Sequence, residues 1–304
     1  MTQRILLACL VGCATVQAQS AKWQPAPGHS QIPLWPGQPA GRDSEIVMTY
    51  TKPVGGRMWN YIQFVSRPTV TVYSPTGTNT GAAVLVFPGG GYQILAIDLE
   101  GSEVCDWITA KGVTCVLVKY RVPNTGPTWK QACGCFRDGS SPPLDDAQRA
   151  ISFVRYHAAE WHIDPHKIGV IGFSAGGHLV AATSNRFAKR SYKPLDLVDR
   201  ESARPDFAIA LYPGHLWIDH KLNPDIHVTE HTPPTFIVQA ENDDVDNIMN
   251  SIGYYTALEN AGVPAEIHVF AEGGHAFGLR HTEFPISDWP ALAERWLQSI
   301  GMIR

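Results

Sequence analysis

Short apolar runs alternate with stretches of helical period along most of the chain. Thr69 to Tyr73 (TVTVY) alternates and predicts an early antiparallel strand, stopped by Pro75 and Gly77. Ala82 to Phe87 is continuously apolar, as a strand buried on both faces would be. A helix from Glu100 to Lys111, closed by Gly112, and a buried strand from Val113 to Tyr120 come next. Residues 121–142 have no period. Pro142 and Pro143 then open a helix with Ala147, Ala150, Ile151, Val154, Ala158 and Trp161 at helical spacing. Asp145 and Asp146 load its first turn and read as helix-start charges rather than catalysts. Ile168 to Phe173 is a strand leading through a turn into a helix. Beyond lie a strand at Asp206 to Leu211, a long excursion to Pro233 and a strand at Thr235 to Gln239. A helix at Asn247 to Ala261, a strand at Ala265 to Phe270 and a helix begun by Asp288 and Pro290 complete the series. That last helix carries Leu292, Trp296, Leu297 and Ile300. Strands alternating with helices and no internal repeat predict an α/β fold, a mostly parallel central sheet with helices on both faces. Residues 46–304 read as one such domain, and residues 19–45, rich in Pro, Gly and Gln, as an arm lying over it.

Composition narrows the partners. The 304 residues are 44% hydrophobic and 17% charged, with a net charge of −4, so no basic stripe is available to neutralise phosphates. Nucleic acid is not an expected partner, whereas a small-molecule or oligosaccharide substrate suits the balance. Arg4 before the apolar run Ile5 to Val11, with Val16-Gln17-Ala18 after it, reads as a signal peptide over residues 1–18. Leu10-Val11-Gly12-Cys13 also resembles a bacterial lipoprotein box, with Cys13 as the lipidated residue. Either route exports the protein, to the periplasm or beyond. No other stretch is long and apolar enough for a transmembrane span. Cys105 and Cys115 read as buried small hydrophobes. Cys133-Gly134-Cys135 lies in a loop; export allows a disulfide there, though a bridge across one residue would be strained, and a zinc site would want more ligands close by. Neither a metal nor an organic cofactor is expected.

The chemistry gathers at strand ends. Gly172-Phe173-Ser174-Ala175-Gly176 fits G-x-S-x-G, a tight strand-to-helix turn with one serine at its apex. The flanking glycines remove side chains that would collide across the turn, and the Ala175 amide opens the helix toward an attacked carbonyl. A serine needs a base within hydrogen-bond reach, and in an open parallel sheet such partners collect at the carboxyl edge. The strand ending at Gln239 runs into Glu241, Asn242, Asp243, Asp244, Val245 and Asp246, and the last strand into Gly273-Gly274-His275. His275 is the expected base and Asp243 the expected acid, with Asp246 and Asp244 as alternatives. Pro88-Gly89-Gly90-Gly91-Tyr92 ends the first buried strand and reads as an oxyanion loop, its Gly90 and Gly91 amides acting with that of Ala175. His227-Val228-Thr229-Glu230-His231 matches H-x-x-E-H, but prolines and β-branched residues argue against the helix that motif needs. His178, four residues past the serine, reads as a packed histidine beside the site.

The series FPGGGY, KIGVIGFSAGGHL, PPTFIVQAENDD, AGVPAEIHVF and GGHAFGL resembles exported bacterial α/β-hydrolases related to acetylxylan and feruloyl esterases. The Ile32-Pro33-Leu34-Trp35-Pro36-Gly37 arm is similar to theirs, and the resemblance spans Ile32 to Trp296. It implies the nucleophile Ser174, the base His275 and the oxyanion donors Gly90, Gly91 and Ala175. The acid it implies is Asp243, two residues before a valine. Relatives commonly follow that acid with D-x-V-V-P, whereas this chain has Asp243-Asp244-Val245-Asp246-Asn247.

Together these readings point to a secreted serine carboxylester hydrolase working through an acyl-enzyme. The expected substrate carries small acyl groups, such as acetyl on fragments of a plant polysaccharide like xylan. A feruloyl esterase or general carboxylesterase is the alternative. Tyr92, Trp129, Tyr212 and Phe277 are the expected lining of the cleft. The rivals are a serine peptidase of the prolyl-oligopeptidase type, whose propeller the N-terminal region is too short to hold, and a non-catalytic carbohydrate-binding protein. A glycosidase would need two facing carboxyl groups, which the sequence does not suggest.

Overall fold

The computed structural model describes residues 22–37, 44–135 and 139–304. The signal-peptide and Cys13 readings therefore fall outside the described residues. In chain order the elements are β1 (Ile32–Pro33), β2 (Ile46–Val54), β3 (Arg57–Gln63), β4 (Thr69–Tyr73), β5 (Ala83–Phe87) and β6 (Ile94–Leu95). A wide turn at Asp98–Ser102 leads into α1 (Glu103–Thr109), followed by β7 (Thr114–Lys119), the short α2 (Trp129–Ala132) and α3 (Pro142–Tyr156). Next come β8 (Ile168–Phe173), α4 (Ala175–Asn185), β9 (Phe207–Leu211), the small pair β10 (Trp217–Ile218) and β11 (Lys221–Leu222), and β12 (Thr235–Ala240). The chain closes with α5 (Met249–Asn260), β13 (Ala265–Phe270) and α6 (Trp289–Ser299).

Among the described residues, eight strands form the main sheet in the order β1-β4-β7-β5-β8-β9-β12-β13. From β7 to β13 every pairing is parallel, and β1 and β4 are added antiparallel at one edge. Every residue of β5, β7, β8, β9 and β12 is buried, which is why these strands read as largely apolar runs, with Thr114, Lys119, Thr235 and Gln239 as polar exceptions at or near strand ends. At the other edge β13 has one neighbour and is only half-buried. Among the described residues no helix is long and apolar enough to cross a membrane.

Two expectations are corrected, and a pairing left open is answered. Cys105 and Cys115 are buried, but as a disulfide: the short return from α1 into β7 brings their Cα atoms to 5.2 Å, a bridging distance. Cys133 and Cys135 are also bonded, across Gly134 at φ 63°. The helix α3 ends at Tyr156 instead of reaching Trp161: His157 caps it at φ −93° and ψ 10°, and the Ala158 amide bonds to Arg155 O in a tighter turn. Trp161 instead stacks on His157 at 5.0 Å.

Asp146 is more than a helix-start charge. Its wholly buried carboxylate accepts from Trp35 Nε1 at 2.7 Å, from the Arg121 amide at 2.8 Å and from Arg121 Nε at 3.0 Å. The arm and the start of the 121–142 excursion are thereby tied to α3.

Candidate active site

Strand β8 lies between β5 and β9 in the sheet and delivers Ser174 at its carboxyl end. The serine has φ 52°, a backbone region uncommon outside glycine. Its surroundings hold it there. The Ser174 amide donates to Leu211 O at 3.0 Å, and its carbonyl accepts from His178 N at 2.9 Å and Gly214 N at 3.1 Å. A Cβ on Gly172 would strike the Gly176 carbonyl, and one on Gly176 would strike the Phe87 carbonyl, so both positions exclude any larger residue.

Two neighbouring strand ends bring the partners. His275 Nε2 lies 3.0 Å from Ser174 Oγ, and His275 Nδ1 lies 2.8 Å from Asp243 Oδ2. Asp243 Oδ2 also accepts from Gln239 Nε2 at 3.0 Å, and Oδ1 from the Val245 and Asp246 amides at 2.9 Å each. Burial opposes charge on His275, but the hydrogen bond and charge of Asp243, with Asp246 and Glu100 beyond, outweigh it and raise its pKa. Asp244 and Glu241 are exposed. Asp246 is buried, with Oδ2 3.3 Å from Ser174 Oγ and 3.9 Å from His275 Nε2. Burial first, and then the charge of Asp243, push its carboxyl up to about 6.

The glycine loop abuts the serine: a Cβ added to Gly89 would come to 3.0 Å of Ser174 Cβ. Gly90 and Gly91 follow at φ 130° and 61°, conformations that glycine reaches without steric cost. The loop is pinned from below. The Gly89 amide donates to Glu100 Oε2 at 2.7 Å, Tyr212 donates its hydroxyl to Glu100 Oε1 at 2.8 Å, and Tyr120 donates to Pro88 O at 2.5 Å. Burial raises the Glu100 pKa against the Tyr212 and Gly89 hydrogen bonds.

Two residues of this scaffold were not picked out from the sequence. Glu100 is one of three acids in Asp98-Leu99-Glu100-Gly101-Ser102-Glu103, and only its complete burial sets it apart from the other two. Asn242 Oδ1 accepts from the Gly273 and Gly274 amides at 3.1 and 2.9 Å and so fixes the turn before His275. Nothing in its sequence neighbourhood singles it out from the adjoining acids.

The aromatic residues expected in the cleft divide. Tyr92, Tyr212 and Phe277 are buried, and the first two spend their hydroxyls on His178 Nδ1 at 2.7 Å and on Glu100. They support the site from beneath, since strand-end position does not reveal which way a side chain points. Trp129 is half-buried and stacks on His215 at 4.5 Å. His178 is packed as expected, and burial lowers its pKa to about 3. Residues 227–231 form no helix, so their two histidines do not share a helical face.

A family model named BD-FAE matches residues 72–204. The crystal structure of an acetyl ester-xyloside bifunctional hydrolase from Caldicellulosiruptor lactoaceticus superposes with a TM-score of 0.70 at 30% identity, covering 90% of this chain and 97% of that one. The chain belongs to the α/β-hydrolases related to acetylxylan esterases. Members of this esterase family named among its relatives include the acetylxylan esterase of Xylanibacter ruminicola, 30% identical over 247 residues. That match covers 73% of this chain and 45% of the relative. Endo-1,4-beta-xylanase B of Butyrivibrio fibrisolvens is 29% identical over 228 residues, 68% of this chain and 34% of the relative. The α/β-hydrolase described here thus spans a third to a half of the length of these two curated relatives.

Proposed function

We propose that this α/β-hydrolase is an exported serine carboxylester hydrolase that removes small acyl groups, such as acetyl, from fragments of a plant polysaccharide such as xylan. The observation that carries the reading is the continuous hydrogen-bonded chain from Asp243 through His275 to Ser174. His275 takes the Ser174 proton as Oγ attacks the ester carbonyl, and Asp243 holds the imidazole in the tautomer that makes Nε2 the acceptor. The amides of Gly90, Gly91 and Ala175 receive the charge that develops on the carbonyl oxygen. His275 then protonates the departing alcohol, leaving an acyl-enzyme. Water, deprotonated by the same imidazole, attacks that ester, and Ser174 regains its proton as the carboxylic acid leaves.

A small acyl group is favoured because Tyr92, Tyr212 and Phe277, the rings best placed in sequence to grip a feruloyl group, are buried and engaged. The acetyl ester-xyloside hydrolase and acetylxylan esterase among the relatives support acetyl on xylan. Two disulfides suit an oxidising compartment and support export through the N-terminal segment.

The test is turnover of p-nitrophenyl esters of increasing acyl length, and of acetylated against feruloylated xylo-oligosaccharides, by wild type and Ser174→Ala. Acetyl esters should be fastest, and Ser174→Ala should lose about 10⁴–10⁶-fold in kcat. Cleavage of peptide amides without ester turnover, or binding of xylan fragments with no turnover, would overturn the reading.

A further inference from the structure

Two acceptors face the Ser174 hydroxyl. One is His275 Nε2 at 3.0 Å, and the other is Asp246 Oδ2 at 3.3 Å, on a side chain only 10% exposed. Asp246 is held at both ends of its own backbone. Its amide donates to Asp243 Oδ1 at 2.9 Å, and its carbonyl accepts from Gln239 Nε2 at 3.0 Å, so it shares the turn that builds the acid of the site. Room for the carboxylate comes from Gly214, where an added Cβ would lie 2.7 and 2.8 Å from its two oxygens. The Gly214 amide in turn bonds to the Ser174 carbonyl.

We propose that Asp246 is a further catalytic residue, which orients the hydrolytic water of the second half-reaction and thereby favours water over alcohols as acyl acceptor. The proposal rests on the serine-hydrolase reading above. Once Ser174 carries an acyl group it has no proton to offer Asp246, and the freed carboxylate faces the space beside His275 Nε2. Nε2 and Oδ2 are 3.9 Å apart. An oxygen at ordinary hydrogen-bond distance from both, roughly 2.8 Å, sees them at about 88°, near enough to the angle between the two O–H bonds of water for each to make a slightly bent hydrogen bond. One O–H of that water gives its proton to His275 as the oxygen bonds to the acyl carbon. The other O–H donates a hydrogen bond to Asp246 and keeps its proton. The acyl-carbon bond to Ser174 Oγ then breaks, the imidazolium returns its proton to Oγ, and the acid departs carrying the second O–H of the water.

An alcohol in the same place has one O–H, which His275 needs. Its carbon substituent would be set against a charged carboxylate, with Asp246 left unsatisfied. The group is ionised above about pH 6, so the discrimination operates at neutral pH and above. Burying a carboxylate costs the fold stability that an asparagine would not, and such costs concentrate at functional sites.

The experiment measures how one acyl-enzyme divides between two products. Wild type, Asp246→Asn and Asp246→Ala are given p-nitrophenyl acetate at pH 8 in water containing methanol, and acetate and methyl acetate are quantified. Both products come from the same intermediate, so their ratio is independent of how much enzyme is correctly folded. The expected result is a roughly tenfold shift toward methyl acetate in both variants, the size of one hydrogen bond to a charged group. Deacylation should slow more than release of p-nitrophenol in the first turnover. An unchanged ratio, or methyl acetate from none of the three proteins, overturns the role of Asp246. No turnover of the ester by wild type would instead overturn the serine-hydrolase reading.

Discussion

The Tyr212 hydroxyl donates to Glu100 Oε1 at 2.8 Å, joining residues 112 apart in the chain beneath the glycine loop. Both groups are buried, and the other Glu100 oxygen is what holds the Gly89 amide. Removing the hydroxyl leaves a buried carboxyl one partner short, a loss that typically costs about 1–3 kcal/mol. Tyr212→Phe should therefore lower stability by that amount in urea unfolding. It should also lower kcat more than it changes KM, because the loop it supports is the proposed oxyanion site.

The choice among the aspartates is open to a direct comparison. Asp243→Asn should reduce kcat by about 10⁴-fold, since the amide cannot hold His275 in the required tautomer. Asp244→Asn, on an exposed side chain, should stay within roughly twofold of wild type. The acid limb of kcat/KM gives a second reading. Neighbouring carboxylates raise the His275 pKa, so wild type should lose activity on acidification from a point above the ordinary imidazole value. In Asp243→Asn that point should move to lower pH. A profile that stays in place would mean Asp243 is not the partner.

Stability should depend on Asp246 in the sense opposite to a salt-bridged acid. Its folded pKa, about 6, lies above the ordinary value of 3.8, so the folded protein retains a proton there that the unfolded chain has released. The penalty is absent below about pH 4, grows through the window from 4 to 6, and reaches roughly 2–3 kcal/mol above it. Urea midpoints of Asp246→Asn and wild type should coincide at pH 4 and diverge by pH 8, with the variant the more stable. Equal midpoints at both pH values would refute this.

Gly176→Ala tests the packing of the serine turn. The new methyl group would meet the Phe87 carbonyl, a backbone atom of the neighbouring strand that cannot rotate away. A loss of about 3 kcal/mol or more is expected, seen as a lower melting temperature or failure to accumulate folded protein.

Much of the fold was legible because β5, β7, β8, β9 and β12 are buried throughout, and a strand hidden on both faces is mostly apolar, with polar residues such as Lys119 and Gln239 kept near the ends and paired. The β2–β3 hairpin was not. Its residues are mostly exposed, Pro53 interrupts it, and only Gly55-Gly56 marked the turn. The residues placed at the site from sequence do converge there, because each follows directly on a strand of one parallel sheet. The acid chosen among the four, Asp243, is the one that meets His275. What escaped was direction and pairing: which aromatic rings face inward, and that Cys105 meets Cys115. Those depend on how separate elements rotate against one another, and linear spacing carries no record of it.

The position of β13 at the rim of the sheet has a consequence for how this molecule fails. Its one lateral neighbour is β12, and the turn carrying His275 is further anchored by Asn242 from that same side. Fraying of this last strand would carry the imidazole away from Ser174 while the interior strands stay paired. Under rising heat or denaturant, turnover should vanish while the circular dichroism of the sheet still looks native, so a residual-activity assay would report the loosening of one border and not collapse of the whole.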